Sequence, residues 1–424
     1  MQEKHVLDPV IDPIVKAILR DENLWGLVET GIRPIVRQVI IPRRSEMAQQ
    51  EEVSDDIHRL LAEKGIYSVS IPEEYGGMGL GERGDTLSIF EIGYGCVSTS
   101  LLPLVNNSLF ARALQVGGTE EQKKRFLPQV ARGELFGCYA LTESEGSSFP
   151  GSILANARRK GDHYVLRGEK IFITEAQRAN IAVVFARIDG ERDRVAGFLV
   201  PHTDKPPEGY APGNGYKVTR KERGKPGIWA SATCAIQLDD VVVPQEDVLG
   251  ADFEGERGRA YANKTLGWSR PNIAAQALGA AKRNLAYVWQ YALETPRGGG
   301  EVHLLEDLEY YRTHLTEMTG ELIRDVSLLF ATTAAMDLVD IEKDPPLQVY
   351  SSMTKVLGTE TAEKVGQGAM RKLGGAGYTG EHPVGSIWTD LGVPPIYEGS
   401  NDLLRVKAGM TLAKHLKEKF RGSR

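Results

Sequence analysis

Residues 131–148, ARGELFGCYALTESEGSS, hold the change of texture that decides the architecture. Before Phe136 apolar residues recur at helical spacing; after it they alternate or cluster with β-branched neighbours, so one element type gives way to another. Working back, Ile32, Ile35, Val36, Val39 and Ile40 share one face, as do Ile57, Leu60 and Leu61, with polar residues between them. Both stretches predict amphipathic helices. Pro34 is compatible with the first if it occupies the opening turn, where its missing N–H is not needed. IPEEYGGMGLG, 71–81, ends the pair, because Pro72 and closely spaced glycines cannot continue a helix. Residues 90–114 are small and aliphatic and predict a helix buried on several faces; 120–132 predict an amphipathic helix.

Working forward, CYALT, HYVLRG, NIAVVFARI, VAGFLV and CAIQLDDVVVP read as short strands separated by Gly, Asp and Pro turns. Helical periodicity returns after Phe253 in long segments, near 260–293, 304–338, 349–373 and 399–420, with PRGGG and KDPP at two of the breaks. The expected fold class is α+β, mainly α. An all-helical domain spans 1–135, a β-barrel-like domain 136–252 and a helical bundle 253–424.

The chain has 424 residues, 41% hydrophobic and 25% charged, a balance that fits a soluble globular protein large enough for several packed units. A net charge of -6 offers no basic footprint for nucleic acid. Cys96, Cys138 and Cys234 form no CxxC pair, which argues against zinc and disulfides and fits a reducing cytoplasm. No HExxH arrangement is present, so no catalytic metal is expected. The start, MQEKHVLDPVIDPIVKAIL, interrupts any apolar run with acids and prolines, and no later run reaches spanning length. The expectation is a cytoplasmic protein with no membrane insertion.

Five motifs carry the chemistry: PEEYGGMG at Pro72–Gly79, CYALTESEGSS at Cys138–Ser148, KIFIT at Lys170–Thr174, LGGAGYTGEHPV at Leu373–Val384 and IYEGSNDLLR at Ile396–Arg405. In this order they resemble the acyl-CoA dehydrogenase family, from about Asn23 to the end of the chain. The stretch before Asn23 has no evident counterpart, and its role stays open. The resemblance implies an N-terminal helical domain, a central β domain and a C-terminal four-helix bundle, assembled as a homo-oligomer, usually a dimer of dimers. It implies FAD as cofactor, an acyl-CoA substrate oxidised to the trans-2-enoyl-CoA, and electron-transfer flavoprotein as acceptor.

By the same resemblance Glu398 is the base for the α proton, since a carboxylate in an apolar pocket can be tuned toward neutrality. On its own it would read as a charge favouring a helix N-terminus. Family members that place the base on a bundle helix have it one residue before an arginine; here that residue is Ser269, before Arg270, and serine cannot serve as that base. The resemblance assigns FAD contacts to Tyr139, Leu141, Thr142, Ser147, Ser148, Phe172, Ile173, Thr174, Arg297, Arg371, Gly374, Gly375, Ser400 and Asp402. Phe172 would pack on the flavin and Thr174 would face its reactive nitrogen. In isolation KIFIT is an ordinary strand, and the glycines equally suit a helix-ending turn. Substrate contacts fall on Ser100, Leu101, Leu104, Ser148, Arg270, Tyr397 and Gly399. Arg270 alone could equally be a surface ion-pair partner, and the stripe at 100–105 could be plain core. Bulky Leu104 and Val105 point to a short, branched or cyclic acyl group.

The chain departs from the family in four places. TESEGSSF replaces TEPxAGSD, ETPRGGGEV replaces a segment with an arginine and an aromatic, Arg371 stands where Gln is common, and Gly267 stands where Asp is common. These departures leave room for a relative with oxidase or monooxygenase chemistry, or for a non-catalytic acyl-CoA-binding protein that has lost FAD. Retention of Glu398 speaks against desulfination.

Overall fold

The computed structural model describes residues 3–145, 153–297, 303–341 and 343–421. The helices that position the site are α1 (Asp8–Leu19), α2 (Gly81–Gly95), α3 (Val97–Pro103), α4 (Gly258–Glu294), α5 (Glu309–Met336), α6 (Pro345–Lys372) and α7 (Asn401–Arg421). Helices α4 to α7 are the long segments that the returning periodicity predicted. Two sequence expectations fail in detail. Pro34 does not open a helix: the chain is helical without a break from Glu22 to Gln50, and the prolines are accommodated by wide π turns at Val28–Ile32 and Val36–Ile40. The apolar stretch 90–114 is not one helix, because Cys96 takes up extended backbone (φ -161°, ψ 119°) between α2 and α3.

α2 and α4 cross where neither carries a side chain. A Cβ on Gly93 would lie 2.7 Å from the Gln276 Cα, and one on Gly279 would lie 2.1 Å from the Phe90 carbonyl oxygen. This close approach fixes Gln276 and the residues one and two turns before it against α2 and α3.

The stretch before Asn23 is a docked element. Ile11, Val15 and Leu19 of α1 are buried, and its acids meet cations that the rest of the chain buries. Arg33 bridges Asp12 (2.7 Å) and Glu91 (2.8 Å), while Lys282 of α4 pairs with Asp8 (2.7 Å) and Asp12 (3.2 Å). Removing α1 would strand Lys282 without those partners inside the protein, and an uncompensated buried charge is costly.

Seven strands form the central sheet: β1 (Gly137–Ala140), β2 (Asn156–Lys160), β3 (His163–Thr174), β4 (Ile181–Ile188), β5 (Val195–Pro201), β6 (Lys217–Lys221) and β7 (Thr233–Pro244). Their order is β1-β4-β2-β3-β7-β6, with β5 paired to β4. β1 and β2 both run parallel to β4, at Ile181–Val184 and Arg187–Ile188. They therefore lie end to end along it. β3 pairs antiparallel with β7 but slips register between Lys170 and Ile173. β4 and β5 are almost wholly buried, as expected for strands covered on both faces. Among the described residues no helix is long and apolar enough to cross a membrane, and no cluster of residues could hold a metal.

Gly279→Ala is expected to destabilise the protein by about 1–3 kcal/mol, because the added methyl meets backbone that cannot rotate away. Thermal unfolding of the variant checks this; an unchanged transition would mean that the two helices do not approach so closely.

Candidate active site

The turn between the short helix Val384–Asp390 and α7 places Glu398 over the middle of α4. Glu398 has φ 55° and Gly399 φ 95°, and the left-handed conformation is unfavourable for a residue with a side chain. Lys355 of α6 holds the turn from beneath. Its ammonium donates to the Gly399 carbonyl (3.0 Å) and to Asn401 Oδ1 (2.8 Å), and Asn401 Nδ2 donates in turn to Thr359 Oγ1 (3.1 Å). Burial lowers the Lys355 pKa to about 8, against the opposing pull of Glu398.

The Glu398 carboxylate is asymmetric. Oε2 accepts a hydrogen bond from the Ser269 hydroxyl of α4, whereas Oε1 is buried with no hydrogen-bond partner among the described residues. Burial raises the Glu398 pKa to about 7, while the Ser269 bond and the positive charges of Arg270 and Lys355 oppose the rise. Arg270 is 9% exposed, which removes its reading as a surface ion-pair partner. Its Nη1 lies 3.3 Å from Ser352 Oγ, its Nε has no partner among the described residues, and burial lowers its pKa.

Beside the carboxylate runs a chain of polar side chains. Gln276 Nε2 donates to the Tyr397 hydroxyl, and Ser100 Oγ donates to Gln276 Oε1 (3.2 Å). Leu101, Leu104 and Val105 are buried next to Ser100. The structure thus brings Ser100, Arg270, Tyr397 and Glu398 together, joined through Gln276, Ser269 and Lys355.

The sheet supplies a second group of residues. Tyr139 is buried on β1 with its hydroxyl 3.5 Å from the Ala262 carbonyl, and Glu398 is among the charges that raise its pKa, after burial itself. Leu141 and Thr142 follow β1, and the Thr142 carbonyl accepts from Ile171 N (2.9 Å). A buried ion pair holds the residues after β1: Lys170 Nζ lies 2.6 Å from Glu143 Oε1, and it also donates to the Leu141 carbonyl (3.3 Å). Glu143 accepts from Ala155 N (3.0 Å), so one carboxylate ties the residues after β1 to the residue before β2. Burial lowers the Lys170 pKa to about 8, with Glu143 opposing.

The register slip after Lys170 puts Phe172 at φ 57° and leaves it 58% exposed. A large aromatic held outward on unfavourable backbone is a site in search of a flat partner. Ile173 behind it is buried, and Thr174 is half-buried opposite Thr233. Arg371, Gly374, Gly375, Ser400 and Asp402 are exposed, and Gly374 has φ 63°. No hydrogen bond or ion pair among the described residues joins these five to Glu398. Ser147 and Ser148 lie outside the described residues, and Arg297 lies in the short strand Pro296–Arg297.

Sequence reading missed Gln276, Lys355 and the Glu143–Lys170 pair, and it dismissed Ser269 once serine was excluded as a base. Lys355 had a legible signal: it interrupts the small and apolar run SSMTKVLGTETA without any acidic residue within four positions before it. Gln276 had one too, as an amide within the apolar stretch IAAQALGAA.

Comparison with known proteins places these features in a family. The N-terminal, middle and C-terminal domain models of acyl-CoA dehydrogenase match residues 27–134, 138–241 and 256–413. The mitochondrial short-chain specific acyl-CoA dehydrogenase of Rattus norvegicus is 31% identical over 391 residues, covering 92% of this chain and 89% of its own. Butyryl-CoA dehydrogenase from Megasphaera elsdenii is 26% identical, with a TM-score of 0.80 over 94% of this chain and 98% of its own. A glutaryl-CoA dehydrogenase from Mycobacterium smegmatis in complex with FADH2 is 25% identical, with a TM-score of 0.80 over 93% of this chain and 95% of its own. On this evidence the chain belongs to the acyl-CoA dehydrogenase family, and it is an oxidoreductase.

Proposed function

We propose that this protein removes two hydrogens from the α and β carbons of a short acyl-CoA thioester to give the trans-2-enoyl-CoA, with Glu398 as the base and FAD as the cofactor. The observation that carries the reading is the Glu398 carboxylate: its pKa is raised to about 7 by desolvation, and its Oε1 is buried with no partner among the described residues. A base of that strength can take a weakly acidic α proton at neutral pH. The positive charges of Arg270 and Lys355 keep the anionic form accessible, and burial excludes the water that would weaken it.

The residues of the sheet fit a flavin. Phe172 offers an exposed aromatic face, Thr174 a hydroxyl two residues on, and Tyr139, Leu141, Thr142 and Ile173 line the strand ends beside it. FAD, when bound, accepts the hydride from the β carbon, a job no side chain can do. The exposed Arg371, Gly374, Gly375, Ser400 and Asp402 would meet the cofactor's diphosphate and nucleotide, with Arg371 able to fork onto a phosphate. Ser147, Ser148 and Arg297 keep their assigned cofactor roles by family resemblance. Gly399 and Tyr397 flank the base, where the thioester carbonyl and the acyl chain would lie.

Leu101, Leu104 and Val105 are buried beside Ser100, which Gln276 and Tyr397 connect to the turn of Glu398, and bulky side chains there support a short acyl group. The short-chain and butyryl-CoA enzymes among the relatives point the same way. Electron-transfer flavoprotein is the acceptor proposed, and a homo-oligomer the assembly.

Three outcomes follow. The purified protein is expected to be yellow and to lose its flavin absorbance when butyryl-CoA is added anaerobically; a colourless protein, or equal bleaching by a long straight-chain acyl-CoA, would overturn the cofactor or the chain-length reading respectively. Glu398→Gln should keep the colour but slow bleaching by a factor on the order of 10² to 10⁴. The base works only when deprotonated, so kcat/KM should fall about tenfold per unit as pH drops below about 7. A flat profile from pH 5 to 8 would count against Glu398 as the titrating group.

A further inference from the structure

Glu398 has two chemically equivalent oxygens, and the structure treats them differently. We propose that Ser269 is the positioning residue that assigns them their roles: its hydroxyl holds Oε2 and thereby leaves Oε1 as the atom that takes the α proton. The inference rests on the proposed reaction and on Glu398 as its base.

The geometry supports the division directly. Ser269 sits on α4, fully buried, next to Arg270, and its hydroxyl donates to Oε2. The hydroxyl has one proton and a second acceptor in reach, the Leu266 carbonyl at 3.3 Å, but the carboxylate is the closer acceptor and the only charged one. Oε1 is buried and has no partner among the described residues. With Oε2 held by the hydroxyl, Oε1 is the oxygen that no protein donor occupies among the described residues, and so the one able to receive a proton from substrate.

The proton balance fits this division. In the reaction the C–H bond at the α carbon breaks, its proton goes to Oε1 and its electron pair becomes the new π bond between the α and β carbons; the β C–H bond breaks with its pair leaving as hydride, for which bound FAD would be the acceptor. Oε2 remains an acceptor throughout, so the Ser269 bond survives in both protonation states. It is stronger in the anionic state, because a charged acceptor binds a donor more tightly than a neutral one. The bond therefore favours the anion, and it also prevents the carboxylate from rotating to exchange its oxygens.

The other ionisable groups that face Glu398 are Arg270 on α4, Lys355 on α6, Tyr397 beside it and Tyr139 on β1. Arg270 and Lys355 act on the anion as buried charges, but neither hydrogen-bonds to it. Ser269 is the direct donor, which makes its contribution separable by a single substitution.

The test uses the flavin-loaded enzyme with butyryl-CoA and the variants Ser269→Ala, Ser269→Thr and Glu398→Gln. Ser269→Ala removes one oxygen from a buried position. It should move the acid limb of kcat/KM upward by about one pH unit or more, the size expected for losing one hydrogen bond to a charged group. The loss at pH 6 should then be about tenfold or greater and should shrink as pH rises through the shifted limb. Ser269→Thr, which keeps the hydroxyl, should restore the limb.

A readout independent of turnover is the infrared carboxyl stretch of Glu398, titrated without substrate against Glu398→Gln as the blank; it should show the same upward shift in Ser269→Ala. If Glu398→Gln abolishes bleaching while Ser269→Ala leaves both limb and stretch where they were, or lowers the rate equally at every pH, the role assigned to Ser269 is wrong. If Glu398→Gln bleaches normally, the base itself is misassigned and the inference falls with it.

Discussion

The rest of the site depends on burying one carboxylate without pairing it. An ion partner in direct contact with Glu398 would satisfy the charge and would also make it a poor base. The fold instead surrounds it with one hydroxyl in contact, at Ser269, and two cations that act from farther off, Arg270 and Lys355. Burial pushes the pKa up and those three pull it back, and the balance lies near neutrality. Each contribution comes from a different place: Ser269 and Arg270 from α4, Lys355 from α6, and the carboxylate from the turn before α7. A bundle can hold such an arrangement only if its helices are fixed in rotation, and the α2–α4 crossing at Gly93 and Gly279 fixes α4.

That crossing explains why a polar residue as demanding as Gln276 can sit fully buried. Its amide spans from Ser100 on α3 to Tyr397 in the turn of Glu398, so the proposed acyl wall and the proposed base are joined by hydrogen bonds. A shift of α4 would disturb both together. The docked α1 works in the same direction, because its two acids take up Lys282 near the far end of the same helix.

The fold was legible in the sequence because it rests on periodicity, and periodicity survives without neighbours. The four long helices of the bundle and five strands of the sheet were readable in this way, and the motif around Glu398 marked the proposed base; β2 and β6, NARRK and KVTRK, are mostly charged and carry no such pattern. What escaped was set by contacts distant in sequence. Pro34 was placed at a helix start because nothing local announces a π turn. The break at Cys96 follows Gly93 and Gly95, but isolated glycines in a helical pattern are tolerated and do not by themselves announce a break. Ser269 was judged by what serine can do as a base, whereas its contact with Glu398, 129 positions away, concerns what it does to one.

Lys170 and Lys355 reveal a shared device that unites the two halves of the site. Each is a lysine buried deeply enough that its pKa falls to about 8, and each spends its ammonium on the loop that carries function. Lys170 binds Glu143 and the Leu141 carbonyl just after β1. Lys355 binds the Gly399 carbonyl and Asn401 in the turn that carries Glu398. Lysine suits this position better than arginine, because a compact ammonium on a flexible stem can reach backbone oxygens from inside a core without needing a planar slot. The desolvation cost is offset by order gained where loops would otherwise move: an aromatic at positive φ on one side, and a carboxylate at positive φ on the other. Both unfavourable conformations belong to residues proposed to touch cofactor or substrate; one lies two residues after Lys170 on β3, and the other lies in the turn whose Gly399 carbonyl Lys355 binds.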